Sequence, residues 1–208
     1  MAPDERPLVH VVDDDASMRD ALESLLESLK LETRTYATAR DFLASTLTDR
    51  PGCIVLDIRL PDMNGLDFHA RLIDLGVLLP VIIMTGHGTI PMTVRAMKHG
   101  AVDFLPKPFQ DQDMIDAVLG AIERDRQRRP VQDKASQIQQ RFGTLTPREQ
   151  EVMLLVAEGK MNKQIAGDPG IREITVKIHR GVAMRKMAAH SLADLVRMTE
   201  VLKSKGRS

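Results

Sequence analysis

The chain has 208 residues, 43% hydrophobic and 28% charged, a composition that excludes a mostly disordered chain and allows one large domain or two small ones. No uncharged apolar run reaches ~18 residues, which excludes a membrane-spanning helix; the start MAPDERPLVH mixes acids with bases ahead of no long apolar stretch, which excludes a secretory signal. The formal net charge of zero conceals two opposite halves: residues 1–122 hold 11 Lys and Arg against 19 Asp and Glu, a net of −8, and residues 123–208 hold 18 against 10, a net of +8.

The first half reads as strands alternating with helices. Residues 8–12 (LVHVV) form a short apolar, β-branched strand that ends abruptly in Asp13-Asp14-Asp15. From Ser17 the spacing turns helical, with Leu22, Leu25, Leu26 and Leu29 on one stripe. Residues 33–36 suggest a strand and 39–46 a short helix. Pro51-Gly52 breaks the chain before a buried strand at 53–56 (CIVL), which runs into Asp57. A turn in LPDMNGLDF precedes a helix opened by Gly65. Residues 81–85 (VIIMT) form the next apolar run, followed by a Gly86-His87-Gly88 loop, a helix starting near Pro91 and ended by Gly100, a fifth strand at 101–105 (AVDFL), the segment PKPF and a helix from about Gln110. Continuous apolar strands separated by helices predict an α/β doubly wound, five-stranded parallel sheet covered on both faces.

In such folds ligands bind beyond the carboxyl ends of the strands, and that is where the polar residues fall. Asp13 and Asp14 follow the first strand, Asp57 ends the third, Thr85 the fourth, and Lys107 follows the fifth. Carboxylates gathered at one spot repel each other and call for a cation. Mg²⁺, or Mn²⁺, suits an oxygen set of Asp13, Asp57, Asp14 directly or through water, and the Arg59 backbone carbonyl. A carboxylate such as Asp57 can also attack a phosphoryl group. Lys107 offers a point charge and Thr85 a hydroxyl for the phosphoryl oxygens. Taken singly, an Asp at a strand end is often a helix cap or turn former; four strand ends bearing this set in order are not explained that way.

VVDDD at 11–15, VLDIRLPDMNG at 55–65, TGHG at 85–88 and AVDFLPKPF at 101–109 closely resemble the receiver domain of bacterial two-component response regulators, over about residues 7–122. The resemblance implies a flavodoxin-like strand order 2-1-3-4-5 and phosphorylation of Asp57 by a histidine kinase. It also implies Mg²⁺ held by Asp13, Asp14, Asp57 and the Arg59 carbonyl, phosphoryl contacts from Thr85 and Lys107, and a cis peptide before Pro108. It further implies a switch in which Thr85 moves and Phe104 follows, and a dimer face on the helix bearing Val94 and Lys98.

Residues 123–142 are charged and Gln-rich, the composition of an exposed helix or spacer. Pro130 is expected to interrupt it, and Val131, Ala135 and Ile138 predict a helix beyond. The arginines at 124, 126, 128 and 129 read as a solvated face. The rest predicts an all-α bundle over 143–206. Thr146-Pro147-Arg148-Glu149 is a capping box with Pro at the first helical position. Asn162 caps a short second helix, a turn spans 167–170, and a third helix over 173–187 carries Ile174, Ile178, Val182 and Met187. Ser191 with Asp194 makes a further capping box. A short helix, a Gly-containing turn and a second helix form a helix-turn-helix.

LTPREQEVMLLVAEGKMNKQIA, GIREITVKIHRGVAMRKM and SLADLVRM closely resemble the DNA-binding domain of LuxR/NarL-type regulators, and with the receiver in front the FixJ subfamily. The resemblance implies a recognition helix presenting Thr175, Lys177, Ile178, Arg180 and Gly181 to the major groove of double-stranded DNA, with Asn162, Lys163, Thr175, Arg185 and Lys186 on phosphates. Two positions depart from the family: Pro169 stands where an apolar residue is usual, and Arg172 where a Ser or Thr caps the recognition helix.

The function expected is a cytoplasmic, phosphorylation-gated transcriptional regulator, an activator by resemblance. It would dimerise when phosphorylated, bind DNA and engage RNA polymerase. As an alternative enzyme, a phosphatase or phosphotransferase using Asp57, it would need an acid two residues later, where Arg59 stands. A third reading is a phosphate-independent adaptor that binds protein. The single Cys53 can form no internal disulfide, which suits a reducing compartment.

Overall fold

The computed structural model describes residues 6–86, 88–167 and 172–205; His87, Pro169, most of the expected turn at 167–170 and the last residues of the second domain lie outside them. The chain divides into two compact units, one up to Arg128 and one from Arg129. Among the described residues no helix is long and apolar enough to cross a membrane.

The first unit runs β1 (Leu8–Val12), α1 (Ala16–Ser28), β2 (Glu32–Tyr36), α2 (Ala39–Ala44), β3 (Gly52–Asp57), α3 (Gly65–Asp74), β4 (Val81–Thr85), α4 (Ile90–Lys98), β5 (Asp103–Pro106) and the start of α5 (Asp111–Gly143). All strand pairs are parallel, in the order β2-β1-β3-β4-β5. The five-residue apolar strands β1 and β4 are buried throughout because helices cover both faces. Val9, Val11, Val55 and Met84 pack with Leu22 and Leu26 of α1 and Met114 and Val118 of α5. Ile54, Leu56 and Ile83 pack with Phe42 of α2, Phe68 and Leu72 of α3 and Ala96 of α4. The doubly wound sheet expected from the sequence is therefore the fold. Register aligns Val12 with Leu56, Asp57 with Met84 and Thr85 with Pro106, which brings the polar strand ends to one edge.

Three local expectations change. The last strand starts at Asp103, not 101, because Ala101 is used to terminate α4: Gly100 adopts φ +91°, its N–H donates to the Met97 carbonyl, and the Ala101 N–H donates to the Ala96 carbonyl. Helix α2 stops at Ala44, where the Ser45 N–H and hydroxyl both donate to the Phe42 carbonyl. Pro130 does not interrupt the helix after the sheet; α5 continues through it to Gly143. A proline removes one donor and crowds one carbonyl, and α5 is held on either side by Ile122, in the first core, and Ile138, in the second. Val131, on the predicted stripe, is 71% exposed.

The middle residue of β1 is a buried histidine that belongs to none of the motifs. His10 Nδ1 is 3.0 Å from the Tyr36 hydroxyl, and its ring stacks on Tyr36 and meets Phe42 edge-on. Burial, helped by nearby Arg34 and Arg50, lowers its pKa to about 4. The unfolded chain thus binds a proton that the folded chain refuses once the pH falls below the usual histidine range. Stability present at neutral pH is lost as pH drops from about 6.5 towards 4, by about 2 kcal/mol at pH 5. Urea titrations at pH 7 and 5 are expected to show this loss, and His10→Gln is expected to flatten it.

The second unit contains the end of α5, α6 (Pro147–Ala157), α7 (Asn162–Ile165), α8 (Glu173–Met187) and α9 (Leu192–Lys205). Its core joins Ile138, Leu145, Val152, Met153, Val156, Ile165, Val176, Ala183, Met187 and Leu195. The capping box at α6 forms as expected: Thr146 Oγ1 accepts from the Glu149 N–H, and Glu149 Oε2 accepts from the Thr146 N–H. Ser191 and Asp194 form the second one. Asn162 is not the cap of α7 but its first residue; the cap position is Met161, whose N–H donates to Gln164 Oε1. Arg172 caps α8 without a side-chain bond, the gap that its side chain predicts.

Candidate functional site

The turn after β1 is held by its own acids. Asp15 caps α1, accepting from the Ser17 and Met18 N–H groups, and the Asp15 N–H donates to Asp13 Oδ1 at 2.9 Å. Arg19, which the motifs do not single out, reaches back from α1 to donate to the Asp13 carbonyl at 2.7 Å. The Asp13 side chain is fully buried and its second oxygen, Oδ2, lies 2.6 Å from Lys107 Nζ. The same ammonium is 3.6 Å from Asp57 Oδ1. Lys107 is brought there by a backbone bond, its N–H donating to the Thr85 carbonyl at 2.7 Å, and the Lys107–Pro108 peptide is cis.

Asp57 ends β3, with the Ile58 N–H donating to the Met84 carbonyl. The loop that follows is closed at its neck by an Arg59–Asn64 bridge and by the Gly65 N–H on the Ile58 carbonyl. Gly65 permits this: a Cβ there would sit 2.2 Å from the Asp57 carbonyl oxygen. Asp62, at the tip, accepts from the Ala39 and Arg40 N–H groups and so ties the loop to α2.

Carboxylate oxygens of Asp13, Asp14 and Asp57 lie within 4.8 Å of one another. Asp14 is exposed, Asp57 buried, and Asp57 Oδ1 has no hydrogen-bond partner among the described residues. Burial first, and the Asp13 charge with it, raise the Asp57 carboxyl above the usual carboxylate range against the pull of Lys107. An all-oxygen donor set with one buried oxygen unmatched fits a hard divalent cation. Thr85 is buried at the end of β4. A Cβ at Gly88 would lie 3.0 Å from Phe104 Cε1 and 3.3 Å from Thr85 Cγ2, so Thr85, Gly88 and the half-buried Phe104 crowd together. Val94 and Lys98 are exposed on α4, where Ile90 and Met97 extend the stripe, at 82% and 45% exposure.

In the second unit the expected DNA residues divide into two groups. Lys163, Lys177, Ile178 and Arg185 are exposed, with Thr175 and Gly181 half-buried. Asn162, Arg180 and Lys186 are engaged internally: Arg180 Nη1 donates to Asn162 Oδ1 at 3.3 Å, and Lys186 Nζ donates to Glu149 Oε2 at 2.6 Å and to the Thr144 carbonyl at 3.1 Å. Lys186 thus clamps α8 to the capping box of α6. Of the apolar residues that the sequence puts on α8 at mixed spacing, Ile174 and Ile178 face solvent at 60% and 58% exposure, and Val176, Ala183 and Met187 form the buried face.

The clamp has a measurable consequence. The Lys186 bond, with the Thr146 N–H, holds the Glu149 carboxyl below its usual range. A depressed carboxyl stabilises the fold above the unfolded pKa and loses that contribution as pH falls through the folded one. Lys186→Met is therefore expected to lower the melting temperature by a few degrees at pH 7, and the gap from wild type is expected to close as pH falls through the lowered Glu149 pKa, below the usual glutamate range. Scanning calorimetry across that pH span measures it.

Comparison with known proteins gives a consistent picture. Residues 9–119 match the family model of the response regulator receiver domain, and residues 143–199 match that of bacterial regulatory proteins of the luxR family. Nodulation protein W of Bradyrhizobium diazoefficiens is 55% identical over 197 residues, covering 95% of this chain and 87% of that one. Among solved structures, the response regulator StyR is 45% identical with a TM-score of 0.80, covering 94% of this chain and 99% of that one. Full-length FixJ from B. japonicum is 36% identical with a TM-score of 0.58, covering 95% and 98%.

Proposed function

The chain belongs to the response regulators that join a receiver domain to a LuxR-type DNA-binding domain, a transcriptional regulator of a two-component system, and from that premise we propose that it is gated by phosphorylation of Asp57. The observation that carries this is the unmatched Asp57 oxygen facing Lys107 at 3.6 Å beside Asp13 and Asp14. A histidine kinase would supply the phosphoryl group. Asp57 attacks phosphorus, the bond from phosphorus to the imidazole nitrogen breaks with its electron pair returning to that nitrogen, and the ring, already protonated on its other nitrogen, leaves as neutral imidazole. Asp13, Asp14, Asp57 and the Arg59 carbonyl would hold Mg²⁺ or Mn²⁺, which, when bound, neutralises charge on the transferring oxygens.

This chain's own side chains do the remainder. Asp13 is tied by the Asp15 N–H and so keeps its position. Lys107, now on Asp13, shifts towards the new phosphoryl oxygens, and Thr85 donates its hydroxyl to one of them. Phe104 follows Thr85, and the exposed α4 stripe through Val94 and Lys98 pairs two copies. Two second units then engage double-stranded DNA through α8: Lys177, Ile178, Thr175 and Gly181 at base edges, Lys163 and Arg185 on phosphates. Asn162, Arg180 and Lys186, engaged internally, serve α8 by holding it in place. The regulator acts as an activator with RNA polymerase in a bacterial cytoplasm.

The test adds a small phosphoryl donor with and without Mg²⁺ and follows mass in solution and DNA binding. A Mg²⁺-dependent dimer with tighter DNA binding is expected. Binding unchanged by phosphorylation would overturn the gating, and no DNA binding in any state at low salt would favour a protein-binding adaptor.

A further inference from the structure

The solvent face of α8 carries large apolar side chains that packing of the second unit does not use. Ile174 is 60% exposed and Ile178 58% exposed, while Val176, Ala183 and Met187 fill the core from the same helix. A helix buried on one face ordinarily presents polar groups on the other. Ile174, Lys177, Ile178 and Arg185 stand at i, i+3, i+4 and i+11, all exposed on one stripe. Two isoleucines one turn apart on an outward face mark a contact surface.

Charge selects the partner. Lys177 stands between the isoleucines and Arg185 extends the stripe, and residues 129–208 hold 15 Lys and Arg against 8 Asp and Glu, a net of +7. A polyanion that also offers apolar groups inside a groove of helix width is duplex DNA. In its major groove the apolar group on the base edges is the thymine C5 methyl. Glu173, at the start of the helix, is the one acid on α8.

We infer that Ile174 is a base-reading residue. With Ile178 it packs on thymine methyl groups on either side of the group that Lys177 meets, so the operator half-site carries thymines beneath the N-terminal half of α8. This deepens, and rests on, the reading of α8 as the DNA-facing helix.

The test uses the full chain with a small phosphoryl donor and Mg²⁺. Binding sites are selected from random duplex DNA, and each enriched thymine is then replaced by deoxyuracil, which pairs identically but lacks the methyl. Wild type is expected to bind roughly four-fold more weakly per methyl removed, the equivalent of about 0.8 kcal/mol. Ile174→Ala is expected to lose discrimination at one position and Ile178→Ala at its neighbour. Ile174→Val is expected to retain part of it, and melting temperatures should stay unchanged because both side chains are exposed. Specific binding with no thymine preference, or full thymine discrimination in Ile174→Ala, would overturn the inference and leave the stripe to a protein partner. Failure of wild type to bind any duplex at low salt would instead overturn the DNA-facing reading of α8 and this inference with it.

Discussion

Asp57→Asn is expected to abolish phosphoryl uptake from a small donor, by on the order of 10³-fold or more, as removal of a covalent nucleophile does elsewhere. The neighbouring acids do not substitute. Both Asp13 oxygens are engaged, one by the Asp15 N–H and one by Lys107. Asp14, though close to Asp57, is exposed, so its carboxylate stays hydrated where that of Asp57 is buried. An amide is a poor nucleophile, yet it has the shape of the carboxyl, so the fold is kept. Stability is expected to hold or rise: burial and the Asp13 charge already oppose ionisation of Asp57, and the amide removes that conflict. Intact-mass spectrometry after donor treatment, with a melting curve for each protein, checks both parts. A variant that gains the phosphoryl mass at the wild-type rate would move the acceptor to another residue.

The acid pocket was legible because each contributor terminates an apolar run. A parallel strand buried on both faces is a contiguous apolar word, and its first polar residue marks the edge of the sheet. Asp13, Asp57, Thr85 and Lys107 therefore announce themselves, and the order of strands brings them together. What stays hidden depends on partners far apart in the chain. Nothing local distinguishes Lys186 from Arg185, and both are exposed, yet Lys186 is tied to the capping box of α6. Spacing also leaves the buried face of α8 undecided. Its apolar residues fall at mixed intervals, so periodicity alone cannot tell Ile174 and Ile178 from Val176, Ala183 and Met187; burial decides for the latter. Pro130 misleads for a related reason, since a propensity near 3 kcal/mol in an isolated helix is overridden when flanking turns are packed.

Asp125 is the largest such omission, and its removal is expected to have the largest effect on stability outside the apolar core. It sits in a run of charges, ERDRQRR, that reads as solvated. In the fold its side chain is fully buried. One oxygen accepts from the Gly52 N–H at 3.2 Å, at the start of β3, and the other is paired with Arg128. The carboxylate thus anchors the middle of α5 to the central strand, 73 residues away in sequence. Asp125→Ala takes the acceptor from the Gly52 N–H and removes one carboxylate from Arg128. An unmatched buried donor costs about 1–3 kcal/mol, and losing one partner of a buried ion pair costs about 3–5 kcal/mol. Arg128 is one-third exposed, so water recovers part of that, and a loss of about 3 kcal/mol is expected. Asp125→Asn keeps an acceptor for Gly52 and is expected to lose about half as much, separating the hydrogen bond from the charge. Urea unfolding followed by circular dichroism measures both. Equal losses in the two variants would assign the effect to the ion pair alone, and no loss in either would show that α5 is held by Met114, Val118 and Ile122 without it.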